Sequence, residues 1–230
     1  MSTARPASLP TIKRLPSYLQ IIENARDDGR EFISGTVIAD ELELEPIQVR
    51  KDLAVTGIVG KPRVGFSVSE LIEAISAFLH WNKVNRSILL GAGHLGTALM
   101  GYSEFRRHGL SIIAAFDPSP ERHDLVINET RILPMDDLDD FIRREQPEIA
   151  ILTVPSSVAQ QTADQVIAAG VRSLWNFTNV KLKVPAGVVV QKEDLSSGYA
   201  VLSVKMGLAA HSAECSDDPA PLPGGRTSTI

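Results

Sequence analysis

A glycine-rich turn between a buried strand and a helix is the sequence feature that most constrains the fold. Residues 87–90 form a short apolar run, and the sequence Gly-Ala-Gly-His-Leu-Gly follows directly and opens an apolar helical stretch. At such a turn the first glycine permits the tight bend, the second lets the backbone approach a pyrophosphate, and the third lets the helix pack on the strand. The pattern predicts a Rossmann-type dinucleotide site with these candidate residues: Gly91, Ala92, Gly93, His94, Leu95 and Gly96.

The acid that ends the next apolar run supports this prediction. Asp117 follows residues 110–116, about 20 residues after the glycine loop, where an acid accepts a hydrogen bond from the adenosine ribose 2′-hydroxyl. Its carboxylate would repel a 2′-phosphate, so the pattern favours NAD(H) over NADP(H). Thr153, Val154 and Pro155 end a third apolar run, at the carboxyl edge of the predicted sheet, where the nicotinamide would lie.

Strands and helices alternate through the rest of this half. Predicted strands cover residues 87–90, 110–116, 148–154, 173–177 and 188–191, and predicted helices begin at 97 and cover 136–144 and 156–169. This alternation predicts a parallel, doubly wound sheet. A last helix over residues 193–206 is more apolar than a solvated terminal helix should be, and the Pro/Gly/Ser-rich residues after it predict a disordered tail.

The N-terminal half has the helical pattern of a DNA-binding unit. Apolar spacing predicts helices over residues 11–26, 36–44 and 46–56. Val49 and Leu53 would point inward from the third helix. The outward residues are then Gln48, Arg50 and Lys51, and two short helices with such a second helix form the helix-turn-helix pattern.

A short hairpin and a fourth helix follow. Within residues 57–66, apolar pairs flank a Gly/Pro turn that holds Lys61 and Arg63, which predicts a β-hairpin wing. Ser67 and Glu70 have the capping-box spacing that starts a helix. The predicted α/β chain therefore has four parts: a winged-helix domain (1–84), a Rossmann NAD(H)-binding domain (85–192), a C-terminal helix (193–208) and a disordered tail (209–230).

The formal net charge of −5 does not by itself suggest a nucleic-acid partner. Phosphate contacts are local, however, because charges are screened beyond about 10 Å. Six cations of the N-terminal half fall into three pairs, Lys13–Arg14, Arg50–Lys51, and Lys61 with Arg63. The charge distribution therefore permits DNA binding without demonstrating it.

Other functions are disfavoured by what the sequence lacks. No apolar run approaches the roughly 18 residues of a membrane span, and residues 1–10 lack the pattern of a secretion signal. Cys215 is the single cysteine and the histidines are scattered, so we expect no metal site, no membrane partner and a cytoplasmic location. We expect no enzyme, because a dehydrogenase needs a general acid or base beside the nicotinamide, and only Tyr102, Tyr199 and loop histidines are available.

Three segments together resemble the Rex family of bacterial redox-sensing repressors: residues 12–16 (Ile-Lys-Arg-Leu-Pro), residues 48–53 (Gln-Val-Arg-Lys-Asp-Leu) and the glycine loop. Further matches are Tyr102, residues 153–155, Asn176-Phe177, and Val184-Pro185 ahead of Asp194, so the resemblance covers about residues 10–206 in order. It implies a homodimer whose winged helices bind palindromic operator DNA and whose Rossmann domains read the NADH/NAD⁺ ratio, with NADH releasing the DNA. The final helix would be exchanged between the subunits.

The resemblance also assigns roles to single residues. Arg50 and Lys51 would face the major groove and the phosphates, and the wing would present Lys61 and Arg63. Tyr102 and Asp194 would link the state of the cofactor to the domain angle across the dimer. The remaining assignments are Lys13, Arg14 and Gln48 toward DNA, Asn176 and Tyr102 toward NAD(H), and Leu195 in the dimer.

The sequence departs from the family pattern at some of these places. The recognition helix ends Ala54-Val55-Thr56 where many members have Ser-Tyr-Phe, and the wing sequence also differs, which affects operator preference. Gln20 stands where some members place an arginine that pairs with the switch aspartate. Leu195 replaces a phenylalanine often inserted beside the partner subunit's nicotinamide, and Asn179 replaces a proline.

Two other functions remain open from the sequence. One is a nucleotide-binding protein or small oxidoreductase whose helical N-terminal domain serves only for dimerisation, although such a protein has no need of the outward Arg50–Lys51 pair. The other is a DNA-binding protein that senses a different adenine-containing ligand, such as CoA. Asp117 argues only moderately against CoA.

Overall fold

The computed structural model describes residues 7–216, which form a helical N-terminal part and a larger α/β part. The N-terminal elements are α1 (Leu9–Asp27), β1 (Phe32–Ile33), α2 (Gly35–Glu41), α3 (Pro46–Ala54), β2 (Phe66–Ser67) and α4 (Val68–Phe78). The later elements are β3 (Asn85–Leu90), α5 (His94–Met100), α6 (Ser103–Arg107), β4 (Leu110–Asp117), β5 (Val126–Ile127), β6 (Thr130–Pro134), α7 (Leu138–Glu145), β7 (Ile149–Leu152), α8 (Ala159–Ala169), β8 (Ser173–Asn176), β9 (Val189–Lys192) and α9 (Ser196–Ser216). This arrangement agrees with the predicted α/β fold. None of the helices described has both the length and the apolar character that a membrane span requires.

Local capping sets the ends of the N-terminal helices. Ser8 Oγ accepts a hydrogen bond from the Thr11 N–H at 3.3 Å and starts α1. Ser67 Oγ accepts the Glu70 N–H at 3.5 Å and starts α4, as the capping-box spacing predicts. Pro46 is the first residue of α3, where its missing N–H costs nothing. The helices pack around fully buried side chains that include Leu15, Tyr18, Ile22, Val49, Leu53, Leu71 and Ile75.

The wing differs from the predicted hairpin. β2 pairs antiparallel with β1, with Ile33 opposite Phe66, so the partner strand comes from ahead of the helix-turn-helix and not from residues 58–59. The turn that follows those residues is closed by one bridge, between Lys61 and Gly65. Gly65 has a φ of +106°, and a Cβ on it would lie 2.4 Å from the carbonyl oxygen of Ile33, so the turn requires glycine. The sequence pattern missed the pairing because β1 is too short to show strand alternation.

A seven-stranded sheet forms the centre of the α/β part, in the order β5-β6-β4-β3-β7-β8-β9. In this spatial order, the strands β6, β4, β3, β7, β8 and β9 are all parallel, and β5 runs antiparallel to β6. Helices α7 and α8 cover one face of the sheet, and the end of α5 packs on the other. In the sheet, β4 lies beside β3 on one side and β7 lies beside β3 on the other, so the direction of strand addition reverses at β3. Ligands of doubly wound sheets bind in the crevice at such a switch point.

Three elements of the α/β part, α6, β5 and β6, were not predicted, and α9 is longer than predicted. β6 is an inner strand, with Ile132 opposite Ala115 of β4, but its sequence contains Arg131 and ends in Pro134, which hides the strand pattern. Helix α9 runs to Ser216, eight residues past the predicted boundary at 208. No proline interrupts the sequence in that stretch. Residues 217–230, the rest of the predicted tail, lie outside the described residues.

Candidate cofactor pocket and DNA-binding surface

A cavity of about 700 Å³ opens beyond the carboxyl ends of β3, β4 and β7. Six of the predicted cofactor residues line it: Gly91, Gly93, Asp117, Thr153, Val154 and Pro155. The other lining residues include the apolar Met135 and Val158 and the polar Arg122, Gln161, Thr162 and Gln165. A cavity of this size, with apolar walls and a few polar groups, suits a small organic ligand.

The geometry of the glycine loop explains why each of its glycines is needed. Gly91 has a φ of +94°, and a Cβ there would lie 3.0 Å from the Thr153 carbonyl. On Gly96 a Cβ would overlap the Gly91 carbonyl oxygen at 2.1 Å, so the helix can pack on the strand only with glycine here. A Cβ on Gly93 would meet nothing within 4 Å. Gly93 therefore leaves a bare backbone beside the cavity, which a pyrophosphate can approach closely.

The other three loop residues differ in exposure. Ala92 is buried and Leu95 is half-buried, so their side chains face the protein. His94 is exposed and is the first residue of α5. The side chain of His94 is thus free to reach an anionic ligand, and the backbone of the loop carries the rest of the site.

Asp117 is buried, with 6% of its surface exposed, and it shapes the loop as well as the pocket. Its Oδ2 accepts the Ala92 N–H at 2.8 Å, and its Oδ1 accepts the Ser119 N–H at 2.9 Å. Each carboxylate oxygen has a second lone pair, so both oxygens can still accept a ribose hydroxyl. The sequence predicted the ribose contact but not the bond to the glycine loop.

Arg122 is the main pocket residue that sequence reasoning missed. Its guanidinium donates to the carbonyl oxygen of Ala92, which also accepts the Thr97 hydroxyl at 3.2 Å. The Ala92 peptide is therefore held on its N–H side by Asp117 and on its carbonyl side by Arg122. A short 3₁₀ turn, Pro120–Arg122, brings the Arg122 side chain back to the pocket. No sequence motif predicts this position for Arg122.

On the N-terminal domain, four side chains converge on one buried carboxylate. Asp52 of α3 is 1% exposed. Arg14 of α1 binds it through two nitrogens, at 2.7 and 3.0 Å. The hydroxyls of Thr11 and Tyr18 donate to it at 2.9 and 2.7 Å, and Gln48 donates at 3.0 Å. This network fixes the second helix of the helix-turn-helix onto α1.

The same network gives two of the predicted DNA-contacting residues a structural role. Arg14 binds Asp52 through Nε and Nη2, and Gln48 donates to it through Nε2. A buried carboxylate must be paired, and α1 supplies the cation that pairs with it. We conclude that Arg14 and Gln48 position the recognition helix in this structure.

The same contacts shift the pKa values of Asp52 and Tyr18. Burial acts to raise the pKa of Asp52, but the hydrogen bonds from Arg14, Tyr18, Thr11 and Gln48 outweigh burial and hold that pKa below its ordinary value. Burial, together with the hydrogen bond to Asp52, raises the pKa of Tyr18 to about 12. The carboxylate is therefore ionised and the phenol neutral at physiological pH.

The remaining predicted DNA-contacting cations are exposed. Arg50 and Lys51 lie on the outer face of α3, and Lys13 lies on α1. Lys61 sits 5.1 Å from the centre of the Phe32 ring, which fixes the root of the wing. Arg63 is exposed at the tip of the wing turn, in the left-handed region with a φ of +62°. These cations are available to a polyanion.

Both halves of the chain match known protein families. A family model described as a putative DNA-binding protein N-terminus matches residues 7–54, and one described as a CoA binding domain matches residues 82–180. The redox-sensing transcriptional repressor Rex of Treponema denticola is 54% identical over 206 residues, which is 90% of this chain and 98% of the relative. The Porphyromonas gingivalis Rex repressor is 38% identical over 197 residues, covering 86% of this chain and 90% of the relative. The chain belongs to the Rex family.

Solved structures agree with this family membership. RSP, a Rex-family repressor, matches in its complex with β-NADH with a TM-score of 0.81 and 29% identity, over 92% of this chain and 99% of RSP. RSP in complex with β-NAD⁺ and operator DNA matches with the same TM-score and identity, over 94% of this chain and 100% of RSP. The fold of this Rex-family chain is therefore a winged helix joined to a Rossmann domain. Its curated relatives are named as repressors, which places the chain among transcriptional regulators.

Two predicted cofactor residues of this Rex-family chain that lie outside the glycine loop, Asn176 and Tyr102, do not line the pocket. Asn176 is buried, and its amide holds the following loop by donating to the Val180 carbonyl at 2.9 Å and accepting from Thr178. Tyr102 is 53% exposed and packs edge-on against Phe105, with ring centres 4.8 Å apart. Within one subunit, Asn176 therefore supports the loop after β8, and Tyr102 faces outward.

Two of the predicted switch and dimer residues, Asp194 and Leu195, lie directly ahead of α9. Asp194 Oδ1 accepts the Ser196 N–H at 3.0 Å and so caps this helix, and Leu195 is 66% exposed. Gln20, on α1, donates to Asn24 at 3.1 Å. The following apolar residues of α9 are also exposed: Tyr199, Val201, Leu202, Val204 and Met206. A helix that is apolar on all sides needs a protein partner to cover it.

Over the part of the chain that the structure describes, no group of three or more histidine, cysteine, aspartate or glutamate side chains could hold a metal ion. The polar side chains lining the cofactor pocket are the Asp117 carboxylate, the Arg122 guanidinium, hydroxyls and amides. This set can bind and orient a dinucleotide.

Proposed function

We propose that this chain is a redox-sensing transcriptional repressor that binds palindromic operator DNA through its winged helix and is released by NADH. One observation carries the proposal: the chain matches RSP, over nearly its whole length, both in a complex with NADH and in a complex with NAD⁺ and operator DNA. NADH must bind the conformer that does not hold DNA more tightly than the DNA-bound one, because only differential affinity shifts the equilibrium. The ratio of NADH to NAD⁺ then sets repression.

NAD(H) is the proposed cofactor. The glycine loop would hold the pyrophosphate, with Gly93 offering a bare backbone and Arg122 a positive charge beside it. Asp117 would accept the adenosine ribose hydroxyls. Residues 153–155, at the end of β7, would lie beside the nicotinamide.

On the DNA side, Arg50 and Lys51 would enter the major groove, and Lys61 and Arg63 would reach the backbone or minor groove. Lys13 is a further phosphate contact. We also propose a homodimer in which the apolar α9 packs on the partner subunit, because the exposed apolar side chains of this helix need cover. A cytoplasmic location and the lack of catalysis complete the proposal.

The first test is a fluorescence-polarisation titration of the protein on a palindromic operator fragment, alone, with NADH and with NAD⁺. A scrambled fragment of the same length is the control. We expect binding that NADH abolishes and NAD⁺ spares. Binding that neither nucleotide affects would indicate a different effector, and CoA is the next ligand to titrate because residues 82–180 match a CoA binding domain. No specific binding would contradict the repressor assignment.

Lys51→Ala is expected to weaken operator binding about tenfold at moderate salt and to lower the slope of log affinity against log salt by about one. The exposed Lys51 lies on the recognition helix, where it would neutralise a phosphate. NADH affinity should not change. Lys181→Ala, which removes an exposed lysine of the Rossmann domain, is the matched control. Equal operator binding by the Lys51 variant and its control would exclude this helix as the reading element.

Asp117→Ala is expected to weaken NADH binding by about ten- to a hundredfold, because it removes charge-assisted hydrogen bonds to the ribose and the brace on Ala92. Titration of NADH fluorescence measures the change. Asp124→Ala is the control, since Asp124 is an exposed aspartate of the same loop region. Unchanged affinity in the Asp117 variant would exclude this residue as the ribose acceptor.

A further inference from the structure

One ion pair joins α1 of the winged-helix domain to α6 of the Rossmann domain. Arg107 Nη2 lies 3.3 Å from Glu23 Oε2, and the Glu23 side chain is only 14% exposed. The other arm of the same guanidinium binds Glu104 of its own helix at 3.0 Å. Glu104 thus holds the arginine in the orientation that reaches across to α1. Nothing in the sequence spacing links these two residues, which lie 84 positions apart.

The linker between the domains is anchored beside this ion pair. The ring of Trp81 stacks on His108, with ring centres 4.0 Å apart and planes 17° from parallel. Gly109 follows with a φ of +78°, and a Cβ on it would lie 2.3 Å from the Lys83 carbonyl oxygen. The Asn85 N–H, where β3 starts, donates to the Gly109 carbonyl at 2.7 Å. His108 and Gly109, which follow Arg107, therefore contact the linker residues that lead into the Rossmann domain.

The ion pair is also close to the cofactor pocket along the chain. Helix α5 starts at the glycine loop, and only Gly101 and Tyr102 separate it from α6. The β5–β6 turn braces this segment, because Asn128 donates to the Met100 carbonyl at 3.3 Å and Arg106 binds Glu129 at 2.9 Å. A shift of α5 on cofactor binding therefore carries α6 with it. Arg107 links α6 to α1.

We propose that Arg107 is a positioning residue that couples the cofactor pocket to the DNA-binding domain, by tying α6 to Glu23 of α1. This inference deepens the proposed function and rests on it. A displacement of the α5–α6 segment is passed to α1 through the guanidinium, and the Asp52 network passes it from α1 to the recognition helix. Without the Arg107–Glu23 ion pair, movement of the Rossmann domain has less effect on the operator-binding surface. NADH then lowers the affinity for operator DNA by a smaller factor.

The test compares Arg107→Gln with Arg106→Gln in the full chain. The two arginines are neighbours on α6, but Arg106 pairs with Glu129 inside the Rossmann domain. The quantity measured is the ratio of operator Kd with saturating NADH to operator Kd without it. Partly exposed ion pairs change an equilibrium only a few-fold. We therefore expect the ratio to fall about threefold or more in Arg107→Gln and to match the wild type in Arg106→Gln.

Glu23→Gln removes the tie from the other side and should lower the ratio by a similar factor. The Glu23→Gln/Arg107→Gln double variant should show no further fall, because both changes break one interaction. Thermal melting checks folding, and Glu23→Gln alone decides the test where Arg107→Gln does not fold. A ratio in either single variant equal to or above that of the wild type overturns the inference. A wild-type ratio of one overturns the proposed function, and the inference with it.

Discussion

Asp52→Ala is expected to lower the free energy of unfolding of the winged-helix domain by about 3–5 kcal/mol, and operator binding should be lost with it. The substitution leaves the Arg14 guanidinium, whose side chain is 29% exposed, without its carboxylate. It also removes the acceptor of the buried Tyr18 and Thr11 hydroxyls. Urea unfolding followed by circular dichroism measures the stability, and operator titration measures the function. Asp40→Ala, an exposed aspartate on α2, is the control and should change stability by less than about 0.5 kcal/mol.

The pH dependence identifies the charge as the cause. Hydrogen bonds hold the pKa of Asp52 in the folded protein below its ordinary value despite burial, which acts to raise it. A carboxyl group with a lowered pKa stabilises the fold above its unfolded-state pKa of about 3.9, and this contribution is lost as the pH falls through the folded-state pKa. The stability difference between wild type and Asp52→Ala should therefore be constant near neutrality and shrink below about pH 4. A difference that persists at lower pH would mean that side-chain packing, and not the carboxylate charge, carries the effect.

Asp52 also shows what the sequence leaves undetermined. An aspartate that directly follows two basic residues, Arg50 and Lys51, is expected to be solvated. Only the tertiary structure reveals that α1 buries it. A signal did exist on α1. Thr11 and Tyr18 are seven residues apart, on the same stripe as the core residues Leu15 and Ile22, and Arg14 borders that stripe. Polar groups on an apolar stripe indicate a buried polar partner, and here Arg14 supports the recognition helix by binding Asp52.

The glycine loop could be predicted because its constraints are local. A strand, a tight turn and a helix start lie within about ten residues. Gly91 has the positive φ of the turn, and Gly96 lies directly against the Gly91 carbonyl oxygen. Arg122 could not be predicted in the same way, because its contact with Ala92 depends on how the 3₁₀ turn after β4 folds back. Strand β6 was missed for a related reason. It starts after a turn built on Asn128 and Glu129, both with positive φ, where the sequence has no glycine to mark the turn.

Gly96→Ala is expected to lower NADH affinity at least about a hundredfold and to destabilise the Rossmann domain by about 1–3 kcal/mol. Its Cβ would lie 2.1 Å from the Gly91 carbonyl oxygen and 3.0 Å from Leu89 Cδ2 and Thr153 Oγ1, so the loop or the helix must move. Gly93→Ala is the matched variant. Its Cβ would meet nothing within 4 Å, so the fold should keep its melting temperature. The added methyl group projects where a pyrophosphate would approach the backbone, so NADH affinity should still fall about tenfold or more.

The two glycine variants therefore separate folding from ligand contact within one loop. Titration of NADH fluorescence gives the affinity, and thermal melting gives the stability. Both variants should bind operator DNA as the wild type does when no cofactor is present, because the Asp52 network and the recognition helix lie in the other domain. By linkage, the NADH concentration that releases DNA should rise by the same factor by which NADH affinity falls. If Gly93→Ala binds NADH as tightly as the wild type, the pyrophosphate does not lie on this loop, and the cofactor must occupy the cavity in another orientation.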